Sequence, residues 1–223
     1  MDIWNQSFDI DRVLQGVERE GFYFARGALS QEWLLRLRAE MDGLDLQVGD
    51  HVRHPINPGS VREVRQLHAR SYHGLDHVLV PEASALCWAL ADSIGTYLVD
   101  RGIHEWLPNE IGYQYYRGST DWISPHRDRR TDRILSVTVT IEGYAWMKMY
   151  EPSTDPVNYA KLREVHRVMT GPGTVMFLRA PGFGSGKQVI HDVMPPIKGS
   201  RRIVNLRMRA KVLPSPREEG SLE

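Results

Sequence analysis

The sequence predicts a mainly β protein with helices at its N-terminal end, and two observations carry that expectation. Up to about residue 105 most segments with a clear period carry their apolar residues at helical spacing, whereas from residue 111 the period changes to two. Beyond that change, short alternating runs are separated by Gly, Pro, Asp and Ser clusters, with nothing helical between them. Repeated short strands of this kind build an antiparallel sandwich or barrel, and parallel βαβ winding is not supported.

Each element has its own signal. "SFDIDRVLQGVEREG" opens on Ser7 as the expected N-cap, carries Ile10, Val13, Leu14 and Val17 on one face, and stops at Gly21. "FYFARG" reads as a short strand. "SQEWLLRLRAEMDGL" is a second amphipathic helix, with Ser30 as its cap and Trp33, Leu34, Leu37 and Met41 in its apolar stripe. A third helix is expected from Pro81 to about Val99, because proline is tolerated in a first turn. Between the last two helices, "DLQVGDHVRHPINPGSVREVRQLHARSYHGLDH" has no clean period and reads as a long loop with one short helix. The strands follow: "IGYQYYRG", "ILSVTVTIEG", "YAWMKMY", "LREVHRVMT", "GTVMFLRA", "KQVIHDV" and "RRIVNLRMRAKVL".

At 223 residues the chain fits a single domain, residues 1–213, with a helical part over 1–105 and a β core over 111–212. The tail "PSPREEGSLE", residues 214–223, is expected to be disordered. Lys plus Arg and Asp plus Glu stand at 28 each, so the overall charge favours neither nucleic acid nor membrane as a partner, although a local basic face is compatible with it. Cys87 is the only cysteine, which excludes an intrachain disulfide and a cysteine-based zinc site. Its apolar, helical setting predicts a buried structural thiol. The first residues lack a basic stretch followed by an apolar run, and no apolar run approaches membrane-spanning length. The expected location is the cytoplasm.

The chemistry-bearing residues lie around the strands. In "SPHRDRR", Asp128 follows His126 by two positions, so an extended chain projects both side chains to one side. His191 stands on a separate strand, in "KQVIHDV". Two histidines and a carboxylate on one face of an octahedron describe the facial triad of non-haem Fe(II) centres, which leaves coordination positions open. Arg201 and Arg202 come ten and eleven residues after His191. On that strand Val204, Leu206 and Met208 form an apolar row, and Arg202 falls in it. The pattern therefore predicts an inward guanidinium. Such a group needs a partner anion, which a bound dicarboxylate would supply through a bidentate fork.

Other patterns have plainer readings. His73 and His77 in "HGLDH" have helical ligand spacing, but Gly74 and the lack of a Glu after His73 favour a turn. "HRDRRTDR" is interrupted by Asp128 and Asp132 and reads as a solvated turn rather than a nucleic-acid patch. Trp146, Met147 and Met149 alternate as a half-buried strand does, and Trp122 reads either as core packing or as the mouth of a site.

These residues together resemble the Fe(II)- and 2-oxoglutarate-dependent dioxygenases. The resemblance rests on His126-X-Asp128, the distal His191 and the following arginine. It extends to "EREGFYFARGALSQEWLLRLRAEMDGL", which is similar to the helix–strand–helix start of the phytanoyl-CoA-hydroxylase-like branch, and to "YYRGSTDWISPHRD" and "GPGTVMFLRAPGFGSGKQVIHDV". Residues 45–80 match no pattern of that family. The resemblance implies a double-stranded β-helix, or jelly-roll, core. It further implies that His126, Asp128 and His191 bind Fe(II). Arg202, or failing it Arg201, would bind the distal carboxylate of 2-oxoglutarate, and Tyr115 would hydrogen-bond that cosubstrate. Many members carry Ser or Thr two residues after the arginine, where this chain has Val204.

The implied activity is O2-dependent hydroxylation of a C–H bond in a small molecule, with 2-oxoglutarate leaving as succinate and CO2. Two alternatives stay open: a nucleic-acid or protein demethylase or hydroxylase of the same chemistry, and a non-catalytic jelly-roll that binds a metal or a sugar acid. Substrate identity and oligomeric state are not legible.

Overall fold

The computed structural model describes residues 2–48, 52–57, 60–65, 67–73, 78–103, 105–151 and 161–210. Its helices are α1 (Ile10–Glu20), α2 (Gln31–Asp42) and α3 (Pro81–Val99). Helix α1 begins later than the sequence suggests. Asp9 rather than Ser7 is its N-cap, its carboxylate accepting from the Arg12 amide at 3.0 Å. Its end lies at Gly21, which takes the left-handed conformation (φ 88°). Ser30 caps α2, accepting from the Trp33 amide at 3.4 Å. Helix α3 has no side-chain cap of its own. Glu40 of α2 fills the role, accepting from the amides of Glu82 and Ala83, and it also accepts from the Tyr113 hydroxyl.

The strands are β1 (Phe22–Ala25), β2 (Gln47–Val48), β3 (Val52–Asn57), β4 (Ser60–Arg65), β5 (Leu67–His73), β6 (Glu110–Arg117), β7 (Trp122–His126), β8 (Asp132–Glu142), β9 (Ala145–Tyr150), β10 (Glu164–Thr170), β11 (Val175–Arg179), β12 (Ile190–Pro196) and β13 (Ser200–Arg209). They form two sheets. The larger has the order β1-β11-β8-β13-β6-β5-β2, the smaller β10-β9-β12-β7-β4-β3, and every pairing described is antiparallel. The chain is mainly β, and the two facing sheets make a jelly-roll.

Residues 45–80 depart from the expected loop. They supply β2 to β5, with β4 extending the smaller sheet beside β7 and β5 extending the larger beside β6. Their Pro, Gly and charged residues obscure a period of two, and pairing with strands far along the chain imposes the strand geometry. His73 ends β5; His77 and the tail at 214–223 lie outside the described residues.

Both faces of the larger sheet are buried. On one, Val137, Val139, Phe177, Val204 and Leu206 pack with Leu14, Leu37, Leu86 and Leu90 of the helices. On the other, Tyr116, Met176, Leu178 and Ile203 meet Ile123, Met147, Met149 and Val193 of the smaller sheet. Cys87 is a fully buried free thiol in the helical layer. At the β8–β9 turn, Gly143 has a φ of 78°, and a Cβ there would stand 2.0 Å from the Ser200 carbonyl oxygen. Glycine is required at that point for the turn to lie against the start of β13.

Candidate metal centre

Strand β12 lies between β9 and β7, and its side chains alternate. Ile190 and Asp192 face outward, Ile190 packing with Tyr150 and Leu162. Asp192 accepts from the Tyr150 hydroxyl at 2.6 Å and the Lys148 amide at 3.2 Å. His191 and Val193 therefore face the other sheet. On β7 the partners are His126, opposite His191, and Ile123, opposite Val193. Three steps on β7 thus match two on β12. That bulge turns both Ile123 and His126 to the inner side, the kind of re-aiming that bulges perform. Asp128 lies two residues past His126, the last residue of the strand.

The result is a compact donor set. Ligand atoms of His126, Asp128 and His191 lie within 4.8 Å of one another, the one such cluster among the described residues. The imidazole rings are 4.3 Å apart between centroids, and Nε2 of His191 is 4.0 Å from Oδ1 of Asp128. Each ring is fixed from behind. Nδ1 of His126 lies 2.8 Å from the Ser124 carbonyl and Nδ1 of His191 lies 3.4 Å from the Val189 carbonyl. A carbonyl only accepts, so Nδ1 is the donor in each ring and Nε2 is the ring atom that can serve as a metal ligand. Both histidines are buried. Burial pushes the Asp128 carboxyl up, but Arg207, both histidines and a hydrogen bond from Ser136 outweigh it and hold the acid well below the usual carboxylate range. Two imidazoles and one carboxylate suit a divalent cation such as Fe(II).

The arginines exchange the places that the apolar row suggests. Arg202 lies on the helix-facing side of β13, where it pairs with Asp42 and Glu142 and sits over the Tyr115 ring, 5.5 Å from its centroid. Arg201 points between the sheets and is 1% exposed. Its Nη2 donates to Thr140 and Thr170 at 3.1 Å each, while Nε and Nη1 have no hydrogen-bond partner. Burial draws its guanidinium down to about 10, which leaves it charged at neutral pH. The physical reason for the exchange is that the apolar row of Val204 and Leu206 packs on helices, so it is the polar row that faces the inter-sheet space. Tyr115 shares the outer side with Arg202. Tyr116, its neighbour on β6, is buried in the inter-sheet core under Arg201, with 5.6 Å from guanidinium to ring centroid. Trp122 is half-buried on β7, and Trp146 is on the outside of the smaller sheet.

Sequence reasoning also missed a charged group behind the triad. Arg207 of β13 lies 3.8 Å from Oδ1 of Asp128, 3.7 Å from Oδ2 of Asp132 and 4.0 Å from Oε1 of Glu110. Asp132 is fully buried, and burial raises its carboxyl to about 7 even with Arg207 alongside. The spacing of two from Arg201 through Ile203 and Asn205 to Arg207 was the available signal.

Comparison with known proteins supports the fold. No protein-family model matches the sequence, and no curated protein matches it significantly. Solved structures do. A Pseudomonas putida prolyl-4-hydroxylase is similar at a TM-score of 0.58 and 16% identity, over 90% of this chain and 99% of that one. AviO1 from Streptomyces viridochromogenes Tue57 is similar at 0.60 and 16%, over 93% and 98%. An oxidoreductase of the 2OG-Fe(II) oxygenase family from Burkholderia pseudomallei is similar at 0.54 and 14%, over 91% of each chain. The jelly-roll of this chain is thus the fold of 2OG-Fe(II) oxygenases. Likeness at these identities does not single out a branch such as the phytanoyl-CoA-hydroxylase-like one.

Proposed function

We propose that the chain is a non-haem Fe(II)- and 2-oxoglutarate-dependent oxygenase that hydroxylates a C–H bond of a small molecule, with residues 1–213 as one catalytic domain. The observation that carries this reading is Arg201, a buried guanidinium with two unpartnered donors in the same inter-sheet space as the His126–Asp128–His191 cluster. A buried charge without a partner anion is strongly unfavourable, and the distal carboxylate of 2-oxoglutarate would supply one. The donor set and the arginine both fit the metal and cosubstrate.

In this reading His126, Asp128 and His191 hold Fe(II), and Arg201 holds 2-oxoglutarate. Bound there, metal and cosubstrate supply the oxidising chemistry: O2 and 2-oxoglutarate are consumed, one oxygen atom enters the substrate C–H bond and the other enters succinate, and CO2 leaves. The protein's part is orientation. The Ser124 and Val189 carbonyls keep the two Nε2 atoms aimed inward, and Arg207 keeps Asp128 ionised. Thr140 and Thr170 fix the Arg201 head, so its free donors point in one direction before any ligand arrives. Met147, Met149, Val193 and Ile203 line the inter-sheet space and exclude water from it.

A prolyl hydroxylase from Trichoplax adhaerens in complex with a peptide fragment, also among the similar structures, favours a peptidyl substrate as the second reading. Anaerobic titration with Fe(II) and 2-oxoglutarate tests the proposal through the visible charge-transfer band of the chelated metal. The expected result is a band in the wild type, none in His191→Ala, and a requirement for far more 2-oxoglutarate in Arg201→Met. Absence of a band in folded, iron-loaded wild type sinks the proposal. Succinate release with small-molecule and proline-containing peptide panels then separates the two substrate classes.

A further inference from the structure

We infer that Arg207 is a positioning residue for the metal, setting the orientation of the Asp128 carboxylate from behind; this rests on the oxygenase reading above. The inner row of β13 runs Arg201, Ile203, Asn205, Arg207. The far end of that row lies at the triad. Arg207 Nη2 is 3.8 Å from Oδ1 of Asp128, the same oxygen that lies 4.0 Å from Nε2 of His191. One carboxylate therefore stands between a metal-facing imidazole and a guanidinium.

The guanidinium is itself held on its other sides. Nε donates to the Ser136 hydroxyl at 3.3 Å and lies 3.7 Å from Asp132, while Nη1 is 4.0 Å from Glu110. Glu110 is in turn engaged by Arg209 and, at 3.6 Å, by Arg129. Asp128 comes after the end of β7, so it lacks the ladder that fixes His126 and His191. Arg207 supplies that constraint from a strand that is fully paired on both sides. A guanidinium beside the oxygen that also faces His191 restricts rotation of the carboxylate, so that a metal held by the two imidazoles meets it in one orientation. Groups behind a ligand of this kind change metal affinity by about 10- to 100-fold.

The test is titration of metal-free protein with Co(II), read by calorimetry and by the visible d–d spectrum, in wild type, Arg207→Met, Arg207→Gln, Arg207→Lys and Arg209→Met. The neutral Arg207 variants are expected to bind about 10- to 100-fold more weakly with an altered spectrum, and Arg207→Lys to fall between them and wild type. Arg209→Met removes a partner of Glu110 without touching Asp128, so it is expected to melt earlier yet bind Co(II) as wild type does. A folded Arg207 variant, lysine included, that keeps both wild-type affinity and wild-type spectrum overturns the inference. So does an Arg209→Met that loses as much affinity as Arg207→Met. Wild type that binds no Co(II) instead sinks the oxygenase reading, whereas binding that is indifferent to residue 207 sinks only this inference.

Discussion

His126 and His191 are cross-strand partners, opposite each other where β7 pairs with β12, with their rings 4.3 Å apart. Each is held by a carbonyl two residues before it, so neither ring depends on the other or on a metal for its direction. The pair is pre-set by the sheet. Replacing His191 by Ala should therefore lower Fe(II) affinity by at least about 100-fold while circular dichroism and the metal-free melting temperature change little. A large loss of stability in the metal-free variant would show that the pair is a packing feature instead.

Metal and cosubstrate should in turn stabilise the fold. At free concentrations near 100 times the dissociation constant the gain is about 2.7 kcal/mol. Thermal melts of the metal-free protein with Mn(II) and 2-oxoglutarate under nitrogen check this. The shift should disappear in Asp128→Ala.

The two adjacent arginines should separate cleanly. Arg201→Met removes a buried charged donor and should weaken 2-oxoglutarate binding by roughly 30-fold or more, from the ~2 kcal/mol or greater loss on truncating one partner of a buried charge pair. Arg202→Met breaks partly exposed pairs with Asp42 and Glu142 and should leave 2-oxoglutarate affinity unchanged. Isothermal titration of both variants decides it, and equal losses would contradict the assignment of sides on β13.

Asp132 and Asp128 predict opposite pH dependences for the metal-free protein. Burial raises Asp132 in the folded state to about 7, above its unfolded value near 3.8. Below about pH 4 its contribution to stability is fully present, and it is lost as pH rises through 7. Asp128 is held low, so its contribution is present above about pH 4 and is lost in stronger acid. Denaturant titrations from pH 4 to 8 should show stability falling by a few kcal/mol at most in wild type and a flatter profile in Asp132→Asn. An unchanged slope in that variant would rule Asp132 out as its source.

Glu40 joins three elements through one carboxylate: α2, which carries it, the first amides of α3, and Tyr113 of β6. Burial raises its carboxyl, but the cap and the hydroxyl favour the charged form. Glu40→Ala should cost roughly 2 kcal/mol, from a lost helix cap and a buried hydroxyl left without its acceptor, measured by urea denaturation. No loss would mean that solvent caps α3 equally well.

The helices and the strands from β8 onward were legible because their periods are clean and each has a buried stripe. Strand β7 was not, because Pro125 and the bulge break its alternation over a five-residue strand. Strands β2 to β5 were hidden for a related reason: β4 and β5 are held extended by β7 and β6, and they in turn pair with β3 and β2, so partners rather than local preference set the geometry. The triad residues could be named from their types and spacing. Which arginine faces the inter-sheet space could not be chosen from the apolar row, since a sheet buried on both faces has two interiors and the row identifies only one. Arg207 was passed over because an arginine at the end of a strand usually reaches solvent.

The hydroxyls that hold Arg201 come from different sheets, Thr140 from β8 of the larger and Thr170 from β10 of the smaller. One guanidinium thus rivets the two leaves of the sandwich together at a single spot. At the triad the leaves are linked instead by the ion pair of Asp128, just past β7 of the smaller sheet, with Arg207 on β13 of the larger. Filling the free side of Arg201 would tighten the rivet, so an anion binding there should slow amide exchange in β8 and β10 together, although the two strands never pair.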